Sequence, residues 1–197
     1  MLLNRNAYLI RERVAMLKLT DRYDILDPET GEELGFAREE LTGFEQLLRL
    51  FAHKQMLPTK VVIRESEDAD PIVVLRRGFT FFWSKVSVFD ENGKEVGFFR
   101  SKVFSWGGGF TVHDPAGTQI ADVTGDWKGW SFTMTDQRGN QLGQVNKQWA
   151  GAMKELFTSA DNYLITLDES VSSNPGLAAL LLAAGLSIDI VFKEPEN

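Results

Sequence analysis

Few of the side chains that do chemistry occur here in combination. The chain has two histidines and no cysteine, which excludes thiolate nucleophiles, disulfides, Cys-ligated zinc and palmitoyl anchors. His53 falls in Phe51-Ala52-His53-Lys54, where a helix end would leave it solvated or against the C-terminal dipole. His113 precedes Asp114, which has the look of a triad fragment. Adjacent strand residues point to opposite faces, however, so a strand-end polar residue is the simpler reading. There is no Gly-x-Ser-x-Gly elbow, no phosphate-cradling Gly-x-x-x-x-Gly-Lys and no Gly-x-Gly-x-x-Gly after a strand. Gly107-Gly108-Gly109 has the composition of an anion nest, but between two strand-like runs a hairpin loop is the plainer reading. The sequence therefore names no catalytic residue, no metal ligand and no cofactor.

Charge is the remaining lead. With 21 Lys and Arg against 28 Asp and Glu, a net charge of −7 and a pI near 4.9, the chain lacks the basic character of a general nucleic-acid binder. The charge is unevenly spread. Residues 21–40 set Arg22 and Arg38 against eight carboxylates, whereas residues 71–110 carry six Lys and Arg against three. A local basic stretch can hold anionic lipid head groups even on an acidic protein. The candidate residues are Arg76, Arg77, Lys85 and Lys102, joined by Lys60 and Arg64. The competing reading is that they are ordinary solvated strand residues, some facing the acidic turn with Glu65, Glu67, Asp68 and Asp70. Trp127 and Trp130 read either as an interfacial or stacking pair or, more plainly, as packing against a wall.

The elements that must position these residues are visible as a repeat. Four times an apolar/polar alternation runs into Asp, a few turn residues, Gly, two polar residues, an aliphatic and a small residue. The copies turn at Asp27/Gly31, Asp90/Gly93, Asp114/Gly117 and Asp136/Gly139, and end on Leu34-Gly35, Val96-Gly97, Ile120-Ala121 and Leu142-Gly143. Each reads as a β-hairpin in which Asp opens the turn and Gly supplies a positive φ. Further strands are expected at Tyr8–Arg11, Val14–Leu17, Lys60–Arg64 and Ile72–Arg76. Leu41, Phe44, Leu47, Leu48 and Phe51 fall at helical spacing before Pro58 and predict one amphipathic helix.

The stretch Leu177–Phe192, LAALLLAAGLSIDIVF, is apolar on every side. As a helix it would span roughly 24 Å, short of a bilayer core of roughly 30 Å, and Ser187 and Asp189 interrupt it. It must be buried, and its Ala and Gly content suits a narrow enclosure. The N-terminal residues lack an apolar signal region. About a dozen strands would curl and close, and a barrel that wide needs a filler. The expected fold is mainly β: a closed barrel of about twelve antiparallel strands enclosing a C-terminal hydrophobic helix at about 175–187, with one extra amphipathic helix, as a single domain over residues 1–197.

From the fourth copy onward the chain resembles a known family. Leu142-Gly143-Gln144-Val145-Asn146-Lys147-Gln148-Trp149-Ala150-Gly151 continues into Lys154-Glu155-Leu156-Phe157-Thr158-Ser159-Ala160-Asp161-Asn162-Tyr163 and then into the apolar run ending Ile188-Asp189-Ile190-Val191-Phe192. This is similar to the phospholipid scramblases, especially bacterial members, and to the related LURP-one-like proteins. Leu75–Phe79 and Ser84–Val86 fit the same pattern. The resemblance implies a tubby-like barrel around a buried helix, and phosphoinositide binding by Lys and Arg on the barrel surface. It departs from eukaryotic members in lacking a Pro-rich arm and a Cys cluster. In the segment matching their proposed calcium loop, Ser159 stands at the first acidic ligand and Leu164 at the turn glycine, so no metal is expected. The functional expectation is a non-enzymatic, cytoplasmic binding or scaffold domain that contacts anionic phospholipid peripherally at the inner membrane face, with no nucleic-acid partner. The alternative is a lipid scramblase whose C-terminal helix inserts into the bilayer.

Overall fold

In the computed structural model, residues 2–13, 22–41, 43, 57–78, 85–101, 109–126, 129–147 and 162–190 are described. A short 3-10 turn, Leu2–Asn4, precedes β1 (Ala7–Glu12), β2 (Arg22–Leu26), β3 (Glu33–Glu39), β4 (Thr59–Arg64), β5 (Val73–Arg77) and β6 (Lys85–Asp90). There follow β7 (Glu95–Ser101), β8 (Gly109–His113), β9 (Gln119–Asp126), β10 (Ser131–Thr135), β11 (Gln141–Asn146) and β12 (Asn162–Leu167). Two helices follow β12 among the described residues, α1 (Glu169–Ser172) and α2 (Pro175–Ile190). Each strand pairs antiparallel with the next, and β1 closes on β12, so the sheet is a closed barrel of twelve strands.

The repeat folds as its residues dictate. In each copy the Asp amide and carbonyl bracket the turn: Asp90 N–H donates to Lys94 O at 2.9 Å and Gly93 N–H to Asp90 O at 3.0 Å, and copies three and four repeat both bonds. The carboxylate caps the turn amides as well, with Asp90 Oδ1 accepting from Asn92 and Lys94, and Asp136 Oδ1 from Arg138 and Asn140. The four turn glycines have φ between 72° and 91°, the left-handed region that a side chain would strain. Beside each turn the register slips by one residue, so that Leu34, Val96, Ile120 and Leu142 are extra residues on the returning strand opposite Ile25/Leu26, Val88/Phe89, Val112/His113 and Met134/Thr135. These bulges increase the local twist that lets a sheet curl to closure.

The barrel is filled by α2. Residues 178–189 are all buried, and the wall contributes Tyr8, Ile10, Ile25, Val61, Ile63, Leu75, Val88, Phe99, Val112, Val123, Phe132, Met134, Val145 and Ile165 to the same core. Close approach explains the small residues. A Cβ on Gly97 would stand 2.4 Å from His113 O and 2.8 Å from Leu180 Cδ2, and one on Gly185 would stand 2.7 Å from Ile165 Cδ1. Ser187, the polar break in the run, donates to Ala183 O at 2.8 Å, so its hydroxyl is satisfied by the helix itself.

The terminal helix thus lies where expected, three residues longer than the expected end at 187. Among the described residues, no helix is long and apolar enough to cross a membrane. The expected strand at Val14–Leu17 and the amphipathic helix over Leu41–Phe51 fall outside the described residues, apart from Leu41 and Gly43.

Ala183 is fully buried at the middle of α2. Ala183→Arg would leave an unpaired charge in the barrel and should cost about 3–5 kcal/mol or prevent folding. Ala183→Gly should cost about 1 kcal/mol by helix propensity. Urea unfolding of the two variants checks the difference.

Candidate functional site

Strand register sorts the basic residues. On β4–β7 the core takes Val61, Leu75, Val86 and Phe99, so the alternate positions point outward. Lys60 lies directly across from Arg76, Arg76 across from Ser87, and Lys85 across from Arg100. Four cations on four adjacent strands therefore share one outer face. Three of them rest on two phenylalanines: Arg76 Cζ is 5.2 Å from the Phe89 ring centre, Lys85 Nζ is 4.1 Å and Arg100 Cζ 5.0 Å from that of Phe98. Such contacts hold a cation in place while its head stays hydrated.

The members differ in how far they are neutralised. Lys60 Nζ donates to Glu40 Oε2 at 2.6 Å and Arg64 Nη2 to Glu40 Oε1 at 3.1 Å. The Lys60 hydrogen bond, opposed by partial burial and aided by Arg64, holds Glu40 below the usual carboxylate range. Lys85 is 3.7 Å from Glu95 Oε1. Among the described residues, no carboxylate lies within ion-pair distance of Arg76 or Arg100.

Arg77 stands apart from its neighbour. Its parity on β5 turns it inward, where it is 6% exposed and donates to Leu57 O at 3.2 Å and Thr59 Oγ1 at 3.0 Å. It belongs to the wall's inner lining and not to the outer face with Arg76. Lys102 lies outside the described residues. Arg100 is the member that sequence reasoning passed over. The alternation along Glu95–Ser101 was the signal, because it sets Arg100 on the face of Phe98.

A second charged cluster lies on the outer face of β1–β3. Asp24 is fully buried there beneath arginines: Arg13 Nε donates to its Oδ2 at 2.6 Å, Arg11 Nη2 to the same oxygen at 2.9 Å, and Arg22 Nε to Oδ1 at 3.4 Å. Burial alone would raise Asp24, but the hydrogen bonds and charges of Arg13, Arg11 and Arg22 outweigh it and hold the carboxyl below its ordinary value. Arg22 and Arg38 meet at Glu67, with Arg38 Nη2 at 2.5 Å, and they enclose the Phe36 ring at 4.2 and 5.0 Å.

The remaining chemical candidates resolve into structure. The His113 ring stacks on Phe98, with centres 4.9 Å apart and planes 5° from parallel. Its Nδ1 faces Gly117 O at 3.1 Å, so it donates there, and Nε2 is hydrogen-bonded with the Thr111 hydroxyl at 2.8 Å. Asp114 meanwhile caps its own turn through Thr118 N–H at 2.8 Å. Trp130 packs at the wall with Phe132 and Tyr163 and carries Lys147 Nζ 4.2 Å over its ring; Trp127 lies outside the described residues. Of the carboxylates in the calcium-loop segment, Asp168 is the cap of α1, accepting from Ser170 N–H at 3.0 Å. Among the described residues no three potential ligands cluster as a metal site.

These features define a class: an antiparallel β-barrel closed around its own C-terminal helix, bearing a cationic outer wall. The chain belongs to the Scramblase family, whose family model matches residues 7–195 and so covers nearly its whole length. That membership ties the protein to lipid-related function. No curated protein and no solved structure matches the chain.

Two predictions follow from the geometry. Arg76→Glu should leave the melting temperature within about 2 °C of wild type, as a surface change of up to about 0.5 kcal/mol does. Arg77→Glu should lower it by about 10 °C or more, because it buries a charge without its hydrogen-bond partners. Asp24 sits below its unfolded value near 3.9, so its contribution is present above that pH and is lost as pH falls through the folded value. Urea midpoints should therefore fall more steeply for wild type than for Asp24→Asn between pH 5 and pH 3, with the two converging at the acid end.

Proposed function

We propose that the protein is a non-enzymatic lipid-recognition barrel that binds anionic phospholipid head groups with the outer face of β4–β7. One observation carries this reading. Arg76 and Arg100 are exposed, held over Phe89 and Phe98, and without a carboxylate partner among the described residues. Lys85 and Lys60 flank them, with Lys60 and Arg64 contributing less because Glu40 already holds both. Arg77, turned inward, is not part of the proposed set. Lys102, two residues beyond Arg100, is proposed as a member on the strength of its position in the sequence.

The wall around this face supports the reading. Every strand from β1 to β7 has at least one Lys or Arg on its outer face, whereas β8–β12 contain none. One half of the barrel thus suits an anionic surface and the other does not. The protein would meet a membrane side-on and peripherally, at the cytoplasmic leaflet where anionic lipids concentrate. Phosphoinositides, with several phosphates on one head group, are the ligands best matched to cations spread over four strands. Scrambling by an inserted C-terminal helix is the other reading; it requires α2 to leave an enclosure in which residues 178–189 are buried.

Vesicle sedimentation tests the proposal. Wild type should pellet with vesicles containing phosphatidylserine or phosphoinositide and stay in solution with pure phosphatidylcholine, the difference shrinking as salt rises. Arg76→Glu with Arg100→Glu should keep the wild-type melting temperature. Two lost cations at about 1 kcal/mol each weaken binding about thirtyfold, before the added negative charge is counted. Wild-type pelleting that ignores lipid charge, or a double variant that binds normally, would refute the reading. Extraction that needs detergent, with Ala183→Arg still folded, would favour the inserted helix.

A further inference from the structure

The cationic wall ends at β7, and the strand register fixes what stands beside it. Lys60 lies across from Arg76, Arg76 from Ser87, Ser87 from Phe98, and Phe98 from His113. One rung of outward residues therefore runs over five strands, from Lys60 on β4 to His113 on β8. Because β8–β12 contain no Lys or Arg, His113 marks the border of the basic half of the barrel. Phe98 points outward yet is only 5% exposed. The strands β6 and β8 flank β7, and they bring Lys85 and His113 to this ring from opposite sides. The imidazole stacks on it at 4.9 Å, while Lys85 Nζ and Arg100 Cζ stand 4.1 and 5.0 Å from its centre. Those distances put the imidazole within about 10 Å of both cations, close to the screening length of about 8 Å at physiological ionic strength.

The hydrogen bonds of His113 suit a neutral and a charged ring equally. Its Nδ1 donates to Gly117 O at 3.1 Å. In the neutral ring Nε2 is then an acceptor for the Thr111 hydroxyl, 2.8 Å away. In the imidazolium Nε2–H donates to that oxygen instead, and the hydroxyl hydrogen turns to Arg100 O at 3.5 Å. A hydroxyl serves both states because it donates and accepts. The charged groups around the ring are Lys85 and Arg100, reached through Phe98, with Asp114 on its own turn and Asp122 on β9. Asp114 accepts from Thr118 N–H and Asp122 from Gln119 Nε2, both at 2.8 Å. Glu95, on β7, is engaged by Lys85. Imidazole is the side chain whose ordinary charge change falls between pH 5 and 8.

We propose that His113 is a further member of the head-group face whose charge is set by pH, so that the wall extends to β8 and holds anionic lipid more tightly as the solution acidifies. The inference rests on the lipid-binding reading of the wall. Its direction follows from charge. Protonation adds a cation beside Lys85 and Arg100, and an anionic head group relieves the repulsion among the three. Linkage requires the converse, so bound anionic lipid raises the ring's affinity for a proton.

Sedimentation with phosphatidylglycerol vesicles, whose phosphodiester charge is constant over the range, compares pH 7.5 with pH 5.5. Wild type should bind about three- to fivefold more tightly at the lower pH, as one added cation near an anionic surface implies. His53→Gln, which removes the chain's other histidine, should keep that dependence. His113→Gln should lose it, and His113→Arg should bind at both pH values as wild type does at pH 5.5. NMR titration of the wild-type ring, its signal assigned with His53→Gln, stands even where a His113 variant folds poorly. The His113 midpoint should rise in dihexanoylphosphatidylglycerol below its micelle concentration and stay put in dihexanoylphosphatidylcholine. Equal wild-type binding at the two pH values, a His113→Gln variant as pH-dependent as wild type, or a midpoint indifferent to lipid charge would overturn the proposal and leave the lipid reading standing. Failure of wild type to pellet with anionic vesicles at either pH would overturn both.

Discussion

A sheet of twelve strands cannot close on its own side chains; it closes only around something. In this protein that filler is α2, and most other features follow from it. The helix must be apolar on all sides, because every side meets wall. It must be thin where the wall comes near, which is why Gly185 sits opposite Ile165, and the wall must recede where the helix is wide, which is why Gly97 sits opposite Leu180. Every strand then has half its residues committed to the core. Burial on this scale leaves the outer face and the two ends as the places where polar chemistry can occur. Tyr163 shows how strictly the interior is enforced: burial first, then the charges of Asp189 and Glu12, push its hydroxyl well above the ordinary tyrosine range.

The turns supply a second constraint with an electrostatic by-product. Each bulged hairpin needs an acceptor to cap its amides, and in this sequence that acceptor is Asp27, Asp90, Asp114 or Asp136. All four turns lie at the end where α2 begins. Local turn chemistry, repeated, therefore builds an acidic rim. The aliphatic that follows each turn is carried to the same rim, so an apolar lining beneath a carboxylate edge results from repeating one hairpin. The wall obeys different rules. There the outward positions are free of turn requirements, and on β1–β7 they are filled with Lys and Arg.

Much of this was legible in the sequence because it rests on local rules. Period-2 alternation, the Asp–Gly turns and an apolar run too short for a bilayer together require a helix-filled barrel, and the boundaries erred by a few residues at the helix end. The candidate site was less legible, for a physical reason. Counting charge along residues 71–110 selected Arg76 and Arg77 together, but side chains alternate across a strand, and only register tells which one is outside. Arg77 went inward to Leu57 and Thr59, while Arg100, on a different strand, came to share a phenylalanine with Lys85. The acidic stretch at 21–40 misled in the same way. In three dimensions Asp24 is covered by Arg11, Arg13 and Arg22, and Glu33 and Glu67 also meet arginines. Long-range pairing of this kind leaves no trace in a window of sequence.

Net charge is consequently a poor guide to which ligands this protein attracts. A ring of twelve strands spaced about 4.8 Å apart is roughly 20 Å across, and charges are screened over about 8 Å at physiological ionic strength. A molecule approaching β4–β7 meets Arg76 and Arg100, with Glu95 already engaged by Lys85, and the carboxylates on the far side of the rim are largely screened from it. One approaching the rim meets Asp90, Glu95 and Asp136, with the opposite result. The excess of acidic residues in the chain as a whole then acts as a selector. It discourages indiscriminate association with polyanions everywhere except on the wall where register has gathered the cations. An acidic protein with a confined basic face is oriented by an anionic surface more strictly than a uniformly basic one would be, because the wrong approaches are repelled as well as unrewarded.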